Sequence, residues 1–303
     1  MNIIGFNELY LMEKETVEYF YHYTSPQALI SIISNNSIRF TDCEFLNDIE
    51  EYNYIKQLLN PDLYKCESRG FKDHIEFLYK NINNENEDYF ILRENGKKFG
   101  RLKRGKYYVI SGTHNKDSLP MWVYYSHGEG YYGYSLQFDL NRFVKLFEGM
   151  KGSLIYGDVV YTKTKQIKII SRELNKILDK YEEQKAYFNH VDEDLIVGDS
   201  LDLIQRLRLF FKNPGFSHEK EFRLAIIVSS VFFGDDINIG FDAKKGIIRP
   251  YVDIKFSGTL PLQSIGLSPS IESNLGIKGI KELLKTKGID DCDVVPSKLQ
   301  LRY

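Results

Sequence analysis

Three stretches of this chain carry side chains able to do chemistry together. The first is Tyr21-His22-Tyr23-Thr24, which sets an imidazole beside a hydroxyl at the end of a predicted strand. A helix start follows at once, and at such junctions side chains and open backbone groups converge on ligands. The second runs from Ser111 to Phe138 and holds Ser111, Thr113, the single tryptophan Trp122, Tyr125 and Tyr131. Aromatic faces supply contact area and a few placed donors supply orientation, which suits a flat, partly polar ligand. The same run can equally be a short amphipathic helix and a half-buried strand in an aromatic core. The third stretch is Glu219-Lys220-Glu221. On a strand the two carboxylates would share a face two residue rises apart. There they can hold a sugar hydroxyl and stabilise a cationic transition state, or form a solvent-facing ladder with Lys220 and Arg223.

Other chemistries lack their parts. His22, His74, His114, His127, His190 and His218 show no compact ligand spacing, so no metal is assigned. Cys43, Cys66 and Cys292 are odd in number and far apart, as reduced structural thiols would be. No glycine-rich phosphate loop supports hydride transfer or nucleotide hydrolysis. With 303 residues and a net charge of -2, the chain is long enough for a large core and has no general attraction for nucleic acid. A local basic stretch, Lys97, Lys98, Arg101, Lys103, Arg104 and Lys106, could meet phosphate, although solvated loop charge accounts for it more simply. No membrane-length apolar run and no secretory pattern stand in the sequence, so a cytoplasmic location without a membrane partner is expected.

The elements that must position these residues follow from pattern. Val17 to Tyr23 reads as a strand, and Ser25 then caps a helix with Pro26 in its first turn, stopped at Asn35-Asn36. A short strand at Ile38 to Thr41 precedes Phe45-Leu46-Asn47-Asp48, which caps a helix over Ile49 to Leu59. Residues 61–105 read as a polar and helical insertion or lid. Strand, short helix and strand follow at Tyr107 to Ser111, Ser118 to Tyr125 and Tyr131 to Phe138, then a helix near Asn141 and a strand from Ser153 to Tyr161. Helical spacing over 164–212 predicts two long helices as a second insertion. Phe216 to Val228 is predicted as a strand entering the core, and Glu272 to Lys287 as a helix ended by Gly288, with a last edge strand at Val294.

The order of these motifs resembles the bacterial family called domain of unknown function 2971. The resemblance rests on Tyr21 to Thr24, Phe45 to Asp48 with Glu50, Met121 to Tyr125 followed by Gly133 to Phe138, and Glu219 to Arg223, and it spans most of the chain. The closing Val295-Pro296-Ser297-Lys298-Leu299-Gln300-Leu301-Arg302 is similar to that family's end, while Phe216 stands where the family tends to place tryptophan.

That family in turn resembles the ADP-ribosyltransferase superfamily. The resemblance implies an α+β fold, with an ADP-ribosyltransferase-like split β-sheet core and helical insertions, formed by residues 1–303 as a single domain. It implies NAD as co-substrate, with His22 as ribose binder, Tyr23 and Thr24 beside it, and Ser111 and Thr113 as the second-strand hydroxyls. Trp122, Tyr125 or Tyr131 would stack on nicotinamide, Glu221 would be catalytic, and Glu219 would be the first residue of a Glu-x-Glu pair. The implied activity is ADP-ribosylation of a macromolecule, nucleic acid such as RNA or else protein, by a toxin or phage-defence effector restrained by a neutralising antitoxin protein. An NAD glycohydrolase and a non-catalytic nucleic-acid-binding module are the alternatives.

Overall fold

The computed structural model describes residues 2–6, 18–46, 49–82, 89–94, 97–103, 105–125, 131–148, 150, 153–188, 193–228, 238–244 and 246–299. Strands β1 (Asn2–Gly5), β2 (Tyr19–Thr24) and β3 (Ser37–Asp42) open the chain, with helix α1 (Pro26–Asn35) between the last two. Helices α2 (Ile49–Leu58) and α3 (Arg69–Asn81) and the hairpin β4 (Tyr89–Glu94) and β5 (Lys97–Lys103) come next. The middle of the chain is β6 (Lys106–Thr113), α4 (Leu119–Tyr125), β7 (Tyr134–Asp139), α5 (Leu140–Lys145) and β8 (Ser153–Asp158). Two long helices, α6 (Lys163–Phe188) and α7 (Glu193–Arg208), lead to β9 (Glu221–Val228). The remainder is β10 (Ile239–Lys244), β11 (Ile247–Lys255), β12 (Leu262–Leu267), α8 (Ser273–Thr286) and β13 (Asp293–Pro296).

Local rules account for several boundaries. The Ser25 hydroxyl accepts from the Ala28 N–H at 3.2 Å, Pro26 stands in the first turn, and Asn36 ends α1 in the left-handed conformation. Gly288 takes a φ of 64° just past α8. Tyr131 to Gly133 lies ahead of β7 instead of within it, because Tyr131 has a φ of 55°, outside the strand region.

Among the described residues eleven strands form one mixed, mostly antiparallel sheet, and the fold is α+β. Its main path runs β1-β8-β9-β6-β2-β7-β12-β13, with only β1/β8 and β12/β13 parallel. The sheet forks at β6. One edge of β6 pairs with β9 from Lys106↔Val228 to Thr113↔Glu221. The other edge is divided: β3 takes Tyr108 and Val109, whereas β2 takes only Thr113, through Tyr21. One arm continues from β3 into β11 and β10, the other from β2 into β7, β12 and β13. The sheet is therefore continuous, and the single β2–β6 rung is its narrowest join.

Alternation along β9 divides the molecule into two cores. Phe222, Leu224 and Ile226 enter one core with Leu29 of α1, Phe143 of α5 and Ile280 of α8. Ala225 faces the other, with Ile55 of α2, Phe71 of α3, Ile170 of α6 and Ile204 of α7. Residues 61–105 and 164–212 thus contribute core as well as surface, since Phe71, Ile75 and Leu78 of α3 are fully buried against α6 and α7. The β4–β5 hairpin is not legible in the sequence, because Lys97-Lys98-Phe99-Gly100-Arg101-Leu102-Lys103 lacks β-branched residues and carries too much charge. Asn47, Asp48, Arg104, His127, His190, Gln300, Leu301 and Arg302 lie outside the described residues.

Candidate functional site

The fork leaves the Ser111 carbonyl between β2 and β3, beyond the Tyr21↔Thr113 rung. A buried carbonyl needs a donor, and His22 supplies it: Nδ1 lies 2.8 Å from the Ser111 oxygen. A carbonyl can only accept, so Nδ1 carries the proton and the neutral ring keeps its lone pair on Nε2. Burial pushes the imidazole pKa down and the bond to Ser111 opposes this, with burial prevailing, so His22 is neutral at pH 7.

Close approach at this point depends on Gly112. A Cβ there would lie 2.7 Å from Phe20 Cδ2 and 3.1 Å from the Tyr21 carbonyl. Phe20 cannot yield, being fully buried and stacked on Phe138 and Phe222 at ring distances of 5.3 and 5.6 Å. Gly112→Ala is expected to destabilise by about 1–3 kcal/mol, as overpacking does. An unchanged thermal midpoint would show that the two strands can separate freely.

Ser111 also bears on β9, where it pairs with Arg223, and its side chain is the least of the groups that favour the ionised Glu221 carboxylate. Glu221 shares a face of β9 with Arg223, and Arg223 grips both of its oxygens, Nε to Oε1 at 2.6 Å and Nη2 to Oε2 at 2.8 Å. Lys212 Nζ lies 3.1 Å from Glu221 Oε2 and 2.7 Å from Glu219 Oε2. All four side chains are buried. Burial alone would push the Glu221 carboxyl up, but the Arg223 guanidinium and then the Lys212 ammonium override it and hold the pKa at about 2. The Tyr161 hydroxyl accepts from the Glu221 N–H at 3.0 Å and so anchors the start of β9.

Two sequence expectations about the glutamates are corrected here. Glu219 and Glu221 do not share a strand face: Pro214–Glu219 is a 3-10 turn, Lys220 is left-handed with a φ of 43°, and β9 begins at Glu221. The carboxylates still converge, drawn together by Lys212 rather than by alternation. Nor do they form a solvent-facing ladder with Lys220, since the partners are the buried Lys212 and Arg223.

The aromatic residues divide. Trp122 is only 2% exposed, so its ring faces are covered and it cannot be a nicotinamide wall in this conformation. Its Nε1 donates to Asp117 Oδ1 at 2.7 Å, and its ring meets Tyr23 edge-on at 4.6 Å. Tyr23 is buried as well, its hydroxyl donating to the Asn115 carbonyl and accepting from the Ser118 N–H, which commits it to holding α4 on β2. Thr24 is buried at the end of β2. Thr113 is fully buried, donating to the Glu219 carbonyl at 2.5 Å and accepting from the Asn115 N–H, so it positions the 3-10 turn. Tyr125 and Tyr131 are half-buried. Glu219 and Glu221 thus converge on Lys212, His22 bonds the Ser111 carbonyl, Thr113 supports the 3-10 turn, and Trp122 and Tyr23 lie in the packing.

Lys212 escaped sequence reading. It follows Leu209-Phe210-Phe211, an apolar run that extends the α7 pattern, although the helix ends at Arg208. The chain then leaves the helical path and bridges Phe211 to Val160. Among the described residues no group of His, Cys, Asp and Glu has the geometry to hold a metal, and no helix is long and apolar enough to cross a membrane.

No curated protein and no solved structure matches this chain. A family model does match residues 121–224, a stretch that holds Trp122, Glu219, Glu221 and Arg223 but stops short of His22 and Ser111 on its N-terminal side. Over residues 121–224, and not over most of its length, the chain is thus similar to the family described as a protein of unknown function (DUF2971).

Proposed function

We propose that this protein is an NAD-dependent ADP-ribosyltransferase that modifies a macromolecule, with the forked sheet serving as the split core of that enzyme class. The observation that supports the reading is the buried, ionised Glu221 at the start of β9, held by Arg223 and Lys212, on the strand that pairs with β6, whose Ser111 carbonyl bonds the His22 ring. Breaking the bond between nicotinamide and ribose sends its electron pair to the nicotinamide nitrogen and leaves positive charge at the anomeric carbon. An ionised carboxylate at that carbon stabilises the transition state more than the ground state, and Glu221 is ionised throughout the neutral range. Neutral His22 would accept a ribose hydroxyl at Nε2. The acceptor then forms the new bond to the anomeric carbon and gives its proton to Glu219. Tyr125 and Tyr131 are the proposed nicotinamide-stacking rings.

Nucleic acid, including RNA, is the proposed acceptor on the basic sequence of β5, and protein is the alternative. Lys106, at the end of that stretch, is already bonded to Asp42 at 3.2 Å. An unrestrained NAD consumer would harm the cell that makes it, so a toxin or defence role with a neutralising partner protein belongs to the same proposal.

The test is incubation with NAD labelled in its adenosine half, together with nucleic acid or protein from a lysate. Label on a macromolecule is the expected result. Free ADP-ribose alone would indicate a glycohydrolase, and neither product a non-catalytic module. Glu221→Gln is expected to lower turnover by about 10²–10³-fold and His22→Ala by about tenfold, one hydrogen bond's worth. Circular dichroism serves as the fold control. Full activity in both variants would remove these residues from the chemistry.

A further inference from the structure

A carboxylate oxygen offers about two acceptor positions, and both of those on Glu221 Oε2 are filled. Arg223 Nη2 takes one at 2.8 Å and Lys212 Nζ the other at 3.1 Å, while Arg223 Nε holds Oε1 at 2.6 Å. A ribose hydroxyl that is to bond Oε2 must displace one of these donors.

The donors are not held equally. Arg223 is 2% exposed, binds through a rigid two-pronged fork, and is tied again through Nη1 to the Leu209 carbonyl at 2.7 Å. Lys212 reaches Glu221 by one bond of 3.1 Å at the end of a flexible stem, and its shorter bond, 2.7 Å, goes to Glu219. It can release Glu221 and remain paired. The cluster of two carboxylates, one ammonium and one guanidinium stays neutral when Lys212 turns wholly to Glu219, so the movement buries no uncompensated charge.

We propose that Lys212 gates Glu221: in the resting protein its ammonium fills the acceptor position that substrate needs, and it swings to Glu219 when a ribose hydroxyl arrives. The proposal rests on the NAD-dependent reading given above. The backbone beneath the gate is fixed, so only the side chain has to move. Gln166, fully buried, donates Nε2 to the carbonyls of Val160 at 2.5 Å and Lys212 at 2.9 Å, and its Oε1 accepts from the Tyr54 hydroxyl at 2.8 Å. Gln166 is accordingly a positioning residue for the gate.

Lys212→Met alone would leave two buried carboxylates facing one guanidinium, so the informative variant is Lys212→Met with Glu219→Gln, which keeps the cluster neutral. Binding of a carbocyclic, non-hydrolysable NAD is measured by calorimetry, and nicotinamide release with water as the acceptor is compared between the double variant and Glu219→Gln, which lack the Glu219 carboxylate alike. The double variant is expected to bind the analogue about tenfold more tightly than the native protein, since one hydrogen bond no longer has to be displaced, and to release nicotinamide faster than Glu219→Gln. Glu219→Gln alone, with Lys212 still on Glu221, is expected to show no such gain. Equal or weaker binding by the double variant, with native protein that binds and cleaves NAD, would overturn the gate and leave the enzyme reading standing. If native protein neither binds the analogue nor releases nicotinamide, the enzyme reading falls and takes the gate with it.

Discussion

Arg223→Met is expected to destabilise the protein by about 3–5 kcal/mol, the loss that follows when one partner of a buried ion pair is removed. Arg223 is 2% exposed, and its hydrogen bonds include two to Glu221 and one to the Leu209 carbonyl. Without it, Glu219 and Glu221 share the single positive charge of Lys212, and the Leu209 carbonyl loses a donor. Against a typical domain stability of about 5–15 kcal/mol, that is a large share, and the midpoint of urea unfolding should fall accordingly. The double replacement Arg223→Met with Glu221→Leu is expected to recover much of the loss, because it leaves Lys212 and Glu219 as a balanced pair and fills the volume with apolar groups. A loss below about 1 kcal/mol in the single variant would mean that the cluster is hydrated and worth no more than a surface pair.

The same cluster sets an acid limit. The folded-state pKa of Glu221 is held at about 2, below the ordinary glutamate value of about 4.3. A depressed carboxylate contributes stability that is complete above the unfolded value and is lost as pH falls from about 4.3 toward 2. In Arg223→Met the principal cause of the depression is gone, so this acid loss should still begin near the unfolded value but be smaller and end at a higher pH.

Trp122→Ala is expected to cost about 3–5 kcal/mol as a large-to-small core replacement. The indole fills a small third core with Tyr23 and Met121, packed also by Tyr21, Tyr125 and Leu299. Its N–H is one of three donors to Asp117, the others being the Ser297 hydroxyl at 2.8 Å and the Lys298 N–H at 2.9 Å. The tryptophan therefore fastens α4 to β2 on one side and steadies the acceptor that holds the segment after β13 on the other. Trp122→Phe separates the two contributions, since it keeps a ring but loses a hydrogen bond to a charged group, worth about 1.5–3 kcal/mol. Both variants should speed proteolytic cleavage beyond Pro296, Trp122→Ala more than Trp122→Phe. Unaltered cleavage would show that Ser297 and Lys298 hold that segment without help from the indole.

Residue pattern and structure agree most closely where the controlling forces are local. The Ser25-Pro26 start of α1, the Gly288 stop after α8 and the apolar face of β9 depend on neighbours within one or two turns, and all were legible. Residue chemistry drew attention to His22 and to the Glu219-Lys220-Glu221 stretch, whereas Ser111 came only from the family resemblance. Of the two grounds for Glu219, the shared strand face does not hold: the left-handed Lys220 interrupts the strand, and a residue other than glycine in that conformation is not foreseeable from spacing.

Burial and pairing were not legible, because each depends on segments that are distant in sequence. Trp122 looked like a ligand wall until Tyr23 and the segment after β13 covered it. Lys212 looked like one more charge after an apolar run. Its carbonyl is held by Gln166 and its N–H by the Val160 carbonyl, and that docking carries its ammonium to the two glutamates. Local preference can assign a segment to helix, strand or turn, and residue type can say what a side chain is able to do. Whether Glu221 stands ionised, and which cations fill the acceptor positions of its carboxylate, follows from low-dielectric packing of strands and helices that meet only when the whole chain has folded.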